Sequence, residues 1–333
     1  MLLNHLEISC RNLTKAKQIF ASNFSLSLVN EHKDSCILKS NNINLYLKKS
    51  PSEVSRVTNI AFTCPNLTIL KKNLANKLKT KTSEVKENCR YHPGVPFVDV
   101  ASPFPALSHR VYEHSSETHG EVSMSRDIDH VLICCDKRTA KLHAQWYAEF
   151  LNVDPYPLAG SPSGSMKVAV NGSGMEMFVN CSKGSDLPIF AFSEPITNSS
   201  TGCNQIERFL KANHGGGVQH IALKSSDIFQ TVHNLRENGV RVIQQPHSYY
   251  ELEDKLLQFN DLGIDPVLAY ENSVIVDQDQ DGYLLQVFTE SLLEKDGMFL
   301  EIIERRGSRG FGQGNVKALF SALQKKMESS AVS

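Results

Sequence analysis

Long apolar runs, clustered cysteines and an excess of charge of one sign are all missing from this sequence. No run approaches the roughly 18 to 20 apolar residues that a membrane-spanning helix needs. The 333 residues carry a net charge of -1, so no basic field attracts nucleic acid or anionic lipid. No apolar block with a small-residue cleavage site opens the chain. We expect a soluble protein that is not secreted and has no nucleic-acid partner.

Disulfide and nucleotide-binding signatures are also lacking. Eight cysteines are scattered without a Cys-x-x-Cys pair, which favours a reducing compartment and small buried side chains over a disulfide framework. The glycine-rich segment at 310–315 has no Lys-Ser or Lys-Thr after it and no apolar strand before it. The sequence therefore predicts neither a disulfide scaffold nor a nucleotide site.

The size and composition are those of a globular protein with room for a buried pocket. Apolar residues make up 41% of the chain and charged residues 21%. The length exceeds one ordinary core and fits two domains or a set of repeats. Arg11, Lys15 and Lys17 are compatible with a mitochondrial presequence, but the alternating residues 3–9 favour a folded strand. The compartment stays open between mitochondrion and cytoplasm.

Four segments share one local pattern, a short strand that passes soon into a helical repeat. They open with LLNHLEIS at residue 2, VTNIAFT at 57, DIDHVLICC at 127 and GVQHIALKS at 217. Apolar residues at three- and four-residue spacing follow each of them, and further alternating segments come after the helices. The chain is predicted to be an α+β protein of four βαβββ modules.

The boundary between the two halves is predicted near residue 120. Residues 82–126 are rich in serine, histidine, proline and charge, which indicates the end of the second module and a linker. We therefore expect an N-terminal domain over 1–120 and a C-terminal domain over 121–325. The C-terminal domain closes with an amphipathic helix that has Val316, Leu319, Phe320 and Leu323 on one face.

Two histidines and a glutamate are candidate metal ligands. His130 and His220 occupy the same point in the opening strands of the third and fourth modules, so paired modules would bring them together. Glu301 lies in the apolar strand MFLEII, where a carboxylate is costly unless it is paired or bound to metal. Two imidazoles and one carboxylate form the facial triad of non-haem Fe(II) oxygenases. Zinc fits the ligands but not the three open positions of that triad.

Uncharged amides accompany these ligands, whereas the first two modules offer a poorer set. Gln205, Gln219 and Gln286 could orient a phenol or a carboxylate in a pocket without taking its proton. At the positions that match His130 and His220, the first two modules have His5 and Asn59, with no evident companion carboxylate. We expect the N-terminal domain to be metal-free.

Four ordered motifs, GGGVQHIAL, YLLQVFTE, FLEIIERRG and GFGQGNVKALF, resemble the 4-hydroxyphenylpyruvate dioxygenase family of the vicinal oxygen chelate superfamily. The similarity is greatest with its dioxygenase-like and hydroxymandelate synthase branch. It is dense from 186 to 325, recognisable from 127 to 180 and weak before residue 120. It implies two barrel-like domains with a closing helix, one Fe(II) per chain in the C-terminal catalytic domain, and, for a eukaryotic chain, a mitochondrial location.

The resemblance also assigns roles to single residues. It implies iron ligands at His130, His220 and Glu301, and a substrate pocket formed by seven residues: Gln205, Gln219, Gln286, Ser193, Phe288, Phe311 and Val316. Two of these positions depart from the family's dioxygenases. Ser193 stands where they have asparagine, which shortens the contact to the distal phenol. Val316 stands where they have phenylalanine, as in hydroxymandelate synthases.

The expected reaction is conversion of 4-hydroxyphenylpyruvate and O2 to 4-hydroxymandelate and CO2, because Val316 removes a ring from the pocket wall. The first alternative is the homogentisate-forming dioxygenase, which shares every ligand. A catalytically inactive binding module is the alternative of another class. Extradiol cleavage of a catechol would ordinarily need a further acid or base histidine near the metal, and none can be placed there. A homo-oligomer is compatible with the sequence.

Overall fold

The computed structural model describes most of the chain. The described residues are 1–24, 26–40, 43–51, 54–78, 80, 82–88, 93–113, 128–156, 165–170, 173–181, 188–196 and 204–316. The predicted domain boundary near 120 lies outside them, as do Leu319, Phe320 and Leu323 of the predicted closing helix.

The described residues before 114 form one eight-stranded sheet. Its strands, in sheet order β2-β3-β4-β1-β5-β8-β7-β6, are β1 (Leu2–Cys10), β2 (Ser27–His32), β3 (Ser35–Lys39), β4 (Asn44–Lys49), β5 (Arg56–Cys64), β6 (Lys86–Asn88), β7 (Pro93–Ala101) and β8 (Ser108–Glu113). The helices are α1 (Leu13–Asn23), α2 (Leu67–Asn73) and a π-helical turn at Leu74–Leu78. Strands thus occupy much of 82–113, and the second module extends further than its prolines suggested.

The described residues from 128 onward form a nine-stranded sheet. Its strands, in the order β10-β12-β13-β9-β14-β17-β16-β15 with β11 paired to β12, are β9 (Ile128–Cys134), β10 (Asp154–Pro155), β11 (Ser165–Val170), β12 (Ser173–Cys181), β13 (Pro188–Ile196), β14 (Gly217–Lys224), β15 (Ile275–Gln278), β16 (Tyr283–Phe288) and β17 (Phe299–Arg306). The helices are α3 (Ala140–Leu151), α4 (Gln205–Asn213), α5 (Ile228–Glu237), α6 (His247–Tyr250), α7 (Glu253–Asp261) and α8 (Pro266–Asn272).

The two sheets repeat one topology. Strand β1 pairs parallel to β4 and antiparallel to β5, and β5 pairs parallel to β8. In the same way β9 pairs parallel to β13 and antiparallel to β14, and β14 pairs parallel to β17. Each pair of opening strands therefore lies side by side at the centre of its sheet. The predicted α+β class and the four βαβββ modules are confirmed.

Local sequence explains where several helices begin. Asn12, Asn66 and Asp227 each precede a helix and accept a hydrogen bond from a backbone N–H of its first turn. Helix α4 begins with a capping box, in which Asn204 accepts from the Glu207 backbone and the Glu207 side chain accepts from the Asn204 backbone. This cap fixes the start of the helix that carries Gln205.

The two halves share one apolar core. His109 of β8 hydrogen-bonds through Nε2 to the Tyr147 hydroxyl of α3 at 2.8 Å, and the Phe62 ring contacts those of Phe150 and Phe190. These side chains are buried, and one continuous hydrophobic cluster includes residues from both sheets. Burial of this apolar surface holds the first sheet against the second.

The described cysteines are small buried side chains, as their scattered spacing predicted. The six described cysteines are all buried and free, namely Cys10, Cys36, Cys64, Cys134, Cys135 and Cys181. Among the described residues, no helix has the length and apolar character needed to cross a membrane.

Candidate metal centre and adjoining cavity

Three neighbouring strands bring His130, His220 and Glu301 together. In the register of the sheet, Ala222 of β14 lies opposite both His130 of β9 and Glu301 of β17, and His220 lies two residues earlier on the same face. One ligand atom from each side chain falls within 4.8 Å of the others. Glu301 Oε2 is 3.3 Å from His130 Nε2 and 3.4 Å from His220 Nε2.

Burial and neighbouring charges shift the pKa of each of the three side chains. Burial lowers the pKa of His220 to about 4, so this imidazole is neutral. Burial alone would also lower the pKa of His130, but the carboxylates of Glu301 and Asp129 raise it to about 9. Burial would raise the pKa of Glu301, yet the adjacent His130 and His220 hold it below its ordinary value. A carboxylate anion therefore lies between two imidazoles, where a divalent cation can replace the proton.

Asp129 sets the orientation of the His130 ring from the side opposite Glu301. Its Nδ1 lies 3.0 Å from Asp129 Oδ1, so this carboxylate holds the Nδ1 proton, and a metal ion would displace the proton on Nε2, which faces Glu301. No hydrogen-bond partner for His220 Nδ1 is found in the described part of the chain. Two imidazoles and one buried carboxylate are the donor set of a non-haem iron(II) centre, and these residues fit one such ion per chain.

A largely apolar cavity adjoins these ligands. About 520 Å³ of space free of protein atoms lies between its lining residues, and this figure includes space open to solvent. Six of the seven predicted pocket residues line it: Gln205, Gln219, Gln286, Phe288, Phe311 and Val316. Sequence reasoning had not assigned Leu132, Met175, Met177, Ala191, Phe299, Gly312 and Asn315 to this wall. Alternation within each strand could have indicated Phe299, which shares a strand face with Glu301.

Ser193 is the pocket residue that the structure does not bring to the cavity wall. Its side chain is fully buried in β13, and its hydroxyl donates to Met175 Sδ at 3.3 Å. Met175 itself lines the cavity. The Ser193 hydroxyl is hydrogen-bonded to Met175, and Met175 rather than Ser193 lines the cavity. The geometry therefore does not place Ser193 for the predicted contact with a distal phenol.

Gln286 is already engaged within the site. Its Nε2 donates to Glu301 Oε1 at 2.7 Å, and both side chains are buried. The amides of Gln205 and Gln219 line the cavity and also line a wider surface cleft, together with Phe299. This cleft and the cavity are therefore adjacent, and Gln205, Gln219 and Phe299 lie between them.

The N-terminal half has a different set of residues at the corresponding positions. Ala61 lies opposite both His5 and Arg110, as Ala222 lies opposite His130 and Glu301. Arg110 thus takes the place of Glu301, and its guanidinium is 3.3 Å from Glu7 Oε1. Glu7 is a carboxylate neighbour that the sequence had not indicated. A fixed cation at this position repels a metal ion, which is a physical reason for the predicted metal-free domain.

Comparisons with known proteins agree with this architecture. No family model matches the chain. It is 30% identical over 204 residues to the 4-hydroxyphenylpyruvate dioxygenase-like protein of Rattus norvegicus, covering 60% of this chain and 55% of that protein. It is 40% identical over 134 residues to the 4-hydroxyphenylpyruvate dioxygenase of Legionella pneumophila (strain Corby), covering 39% of this chain and 37% of that protein. The chain spans about half the length or less of these curated relatives.

Solved structures show the same fold. A triple mutant of 4-hydroxymandelate synthase from Streptomyces coelicolor superposes with a TM-score of 0.80 at 23% identity, covering 98% of this chain and 100% of that one. The fold is thus the vicinal oxygen chelate fold, with a buried cluster of two histidines and one glutamate. The resemblance to the 4-hydroxyphenylpyruvate dioxygenase family is confirmed.

Proposed function

We propose that the protein is a non-haem iron(II) dioxygenase that converts 4-hydroxyphenylpyruvate and O2 to 4-hydroxymandelate and CO2. The observation that carries this proposal is the buried cluster of His130, His220 and Glu301 at the wall of an apolar cavity. Three protein ligands on one face leave coordination positions for a bidentate substrate and for O2. Relatives named for 4-hydroxyphenylpyruvate dioxygenase support the same class of aromatic 2-oxo acid.

The protein's own residues would bind and orient the substrate. Iron, when bound, supplies the redox chemistry that couples decarboxylation of the 2-oxo acid to reduction of O2. Phe288 and Phe299 present aromatic walls beside His220, with their ring centroids 6.2 and 5.0 Å from that of the imidazole. The amides of Gln205 and Gln219 offer neutral donors and acceptors to the polar ends of the substrate.

Val316 supports benzylic hydroxylation over attack on the ring. It lines the cavity beside Phe311, where a phenylalanine would hold the substrate ring closer to the metal ligands. With the smaller side chain, the ring can turn away and present its benzylic carbon. A displacement of about 1 Å is enough to redirect a reaction between neighbouring carbons. Because relatives named 4-hydroxyphenylpyruvate dioxygenase are among the similar proteins, homogentisate is the second candidate product.

Product analysis tests the proposal. The purified protein is loaded anaerobically with Fe(II) and mixed with 4-hydroxyphenylpyruvate and O2, and the products are separated by chromatography and identified by mass. 4-Hydroxymandelate is the expected product. Homogentisate would show that a residue other than Val316 sets the site of attack. No turnover by iron-replete protein would favour a binding module that keeps the fold without the reaction.

The compartment and assembly of the protein are further proposals. The resemblance favours a mitochondrial enzyme, with the cytoplasm as the alternative, and the sequence is compatible with a homo-oligomer. Fractionation of cells expressing the tagged protein and light scattering of the purified protein test these two points.

A further inference from the structure

A chain of hydrogen bonds runs from the backbone of β15 to the buried amide of Asn315. The N–H of Val276 donates to the Tyr249 hydroxyl oxygen at 3.0 Å. The Tyr249 hydroxyl is 2.8 Å from Asn315 Oδ1 and 3.0 Å from the Val276 carbonyl oxygen. Its single proton can serve only one acceptor, and the Asn315 oxygen is the nearer one. Asn315 therefore presents its oxygen to Tyr249 and its NH2 group to the other side.

The chain continues from Asn315 to the metal ligand. Asn315 Nδ2 donates to Gln286 Oε1 at 2.9 Å, and Gln286 Nε2 donates to Glu301 Oε1 at 2.7 Å. Tyr249, Asn315, Gln286 and Glu301 are all buried, with at most 5% of each residue exposed. Water therefore cannot readily replace a missing donor in this chain.

The carboxylate end of this series of hydrogen bonds fixes its direction. An ionised Glu301 carboxylate can only accept, so Gln286 must turn its NH2 group toward it. If the amide of Asn315 were reversed, its NH2 group would face Tyr249 and its oxygen would face the oxygen of Gln286. Gln286 would then have to turn its own oxygen toward Glu301, which places two acceptors against each other. One arrangement of the two amides satisfies every group.

This direction has a consequence for the carboxylate of Glu301. Oε1 is occupied by the Gln286 NH2 group, whereas Oε2 faces the Nε2 atoms of His130 and His220. The two carboxylate oxygens therefore have different contacts: Oε1 accepts a hydrogen bond, and Oε2 is the oxygen that faces the two histidines. A carboxylate that is free to rotate would lose this distinction.

We propose that Tyr249 and Asn315 are positioning residues that set the amide of Gln286 and thereby select Oε2 of Glu301 as the metal-binding oxygen. Neither residue touches the metal ligands directly. The inference rests on the metal site of the proposed function and goes beyond it by assigning a role to two residues on α6 and on the segment after Gly312.

Asn315 also connects the cavity wall to this series of hydrogen bonds. It lies in the helical residues 313–316, and the N–H of the preceding Gly314 donates to Asp277 Oδ2 at 2.8 Å. Asn315 and Val316 both line the cavity. The segment that covers the cavity therefore holds the orientation of Glu301 through one amide, and displacement of this segment would release Gln286.

Metal affinity measured with Co(II) tests the proposal without turnover. Co(II) is titrated into metal-free full-length protein against a chelator of known affinity, and its visible absorption reports the ligand geometry. The variants are Tyr249→Phe, which removes one donor, and Asn315→Asp, which removes the NH2 group that faces Gln286. The control is Tyr250→Phe, because the buried Tyr250 hydroxyl has no hydrogen-bond partner among the described residues. Urea unfolding of each metal-free variant measures any purely structural loss.

The expected result is a dissociation constant raised about 10-fold by Tyr249→Phe and about 100-fold by Asn315→Asp, in the range of second-layer substitutions at metal sites. Both should alter the Co(II) spectrum, whereas Tyr250→Phe should change neither quantity. Affinities and spectra for both variants that match the control would overturn the positioning role alone. Failure of the unmodified protein to bind Co(II) would overturn the proposed function, and this inference with it.

Discussion

Arg305 holds the carboxylate of Asp129 with two parallel hydrogen bonds. Its Nε and one terminal nitrogen donate to the two Asp129 oxygens, each at 2.8 Å. Burial would raise the pKa of Asp129, but Arg305 and His130 hold it well below its ordinary range. The ionised carboxylate then fixes Nδ1 of His130, so an arginine on β17 determines the orientation of an imidazole on β9.

Replacing Arg305 with lysine should weaken metal binding without removing a ligand. Lysine keeps the charge but cannot form the paired contact, so Asp129 and then His130 lose their fixed orientation. We expect a dissociation constant for Co(II) raised by about 10-fold. Arg306→Lys is the matched control, because Arg306 pairs with Glu304 at 2.7 Å and is partly exposed. Equal affinities for the two variants would contradict this account of Asp129.

Val316→Phe should redirect the reaction. The added ring restricts the cavity beside Phe311, so the substrate ring is held nearer the metal ligands. The ratio of homogentisate to 4-hydroxymandelate should rise by about 10-fold, which corresponds to about 1.4 kcal/mol between the two barriers. Chromatography of the products from iron-loaded protein measures this ratio. An unchanged ratio, with turnover retained, would show that Val316 does not control the site of attack.

Gly312→Ala should damage the site more than the same change at Gly239. Both glycines have positive φ, of +80° and +81°. A Cβ at Gly239 meets no atom within 4 Å, so that variant bears only the backbone cost of roughly 1–2 kcal/mol. A Cβ at Gly312 would overlap the side-chain amide of Gln286.

The two alanine variants are compared in urea unfolding and Co(II) titration. Both should lose stability, but only Gly312→Ala should also lose metal affinity, because Gln286 must move away from Glu301. Equal metal affinity in the two variants would show that Gln286 can move without cost to the site.

Protonation of His109, which lies between the two halves, should lower the stability of the protein in acid. Burial lowers its pKa to about 4 from an ordinary value of 6.5, so the unfolded chain takes up the proton first as the pH falls. The stability is complete above pH 6.5 and is lost progressively down to about pH 4, by about 3 kcal/mol for this group. His5, whose pKa burial also lowers to about 4, adds its own loss over the same range.

Urea unfolding between pH 4 and 7 measures this loss. His109→Gln should have a reduced but not abolished pH dependence, since the buried His5 and His220 still titrate. His233→Gln on the exposed face of α5 is the control. A slope in His109→Gln as steep as in the control would exclude His109 as a source of acid instability.

Much of the fold and the set of candidate ligands could be predicted, because both produce local patterns in the sequence. The four modules repeat a strand and a helical pattern, and His130 and His220 stand at matched points of two repeats. Glu301 is conspicuous as a charge in an apolar strand. Ser193 shows the limit of such reasoning, since its sequence position said nothing of Met175, which lies between its hydroxyl and the cavity.

The sequence by itself determined the modules, the three candidate ligands and about half of the remaining cavity wall, because alternation along a strand already decides which side chains share a face. Only the tertiary structure decided that Arg110 takes the place of Glu301 in the first sheet, and that Tyr249 reaches Glu301 through Asn315 and Gln286. These relationships depend on the register between distant strands and on hydrogen bonds between residues far apart in the chain. A local sequence pattern cannot predict these contacts, because the two partners lie in distant segments and only tertiary packing brings them together.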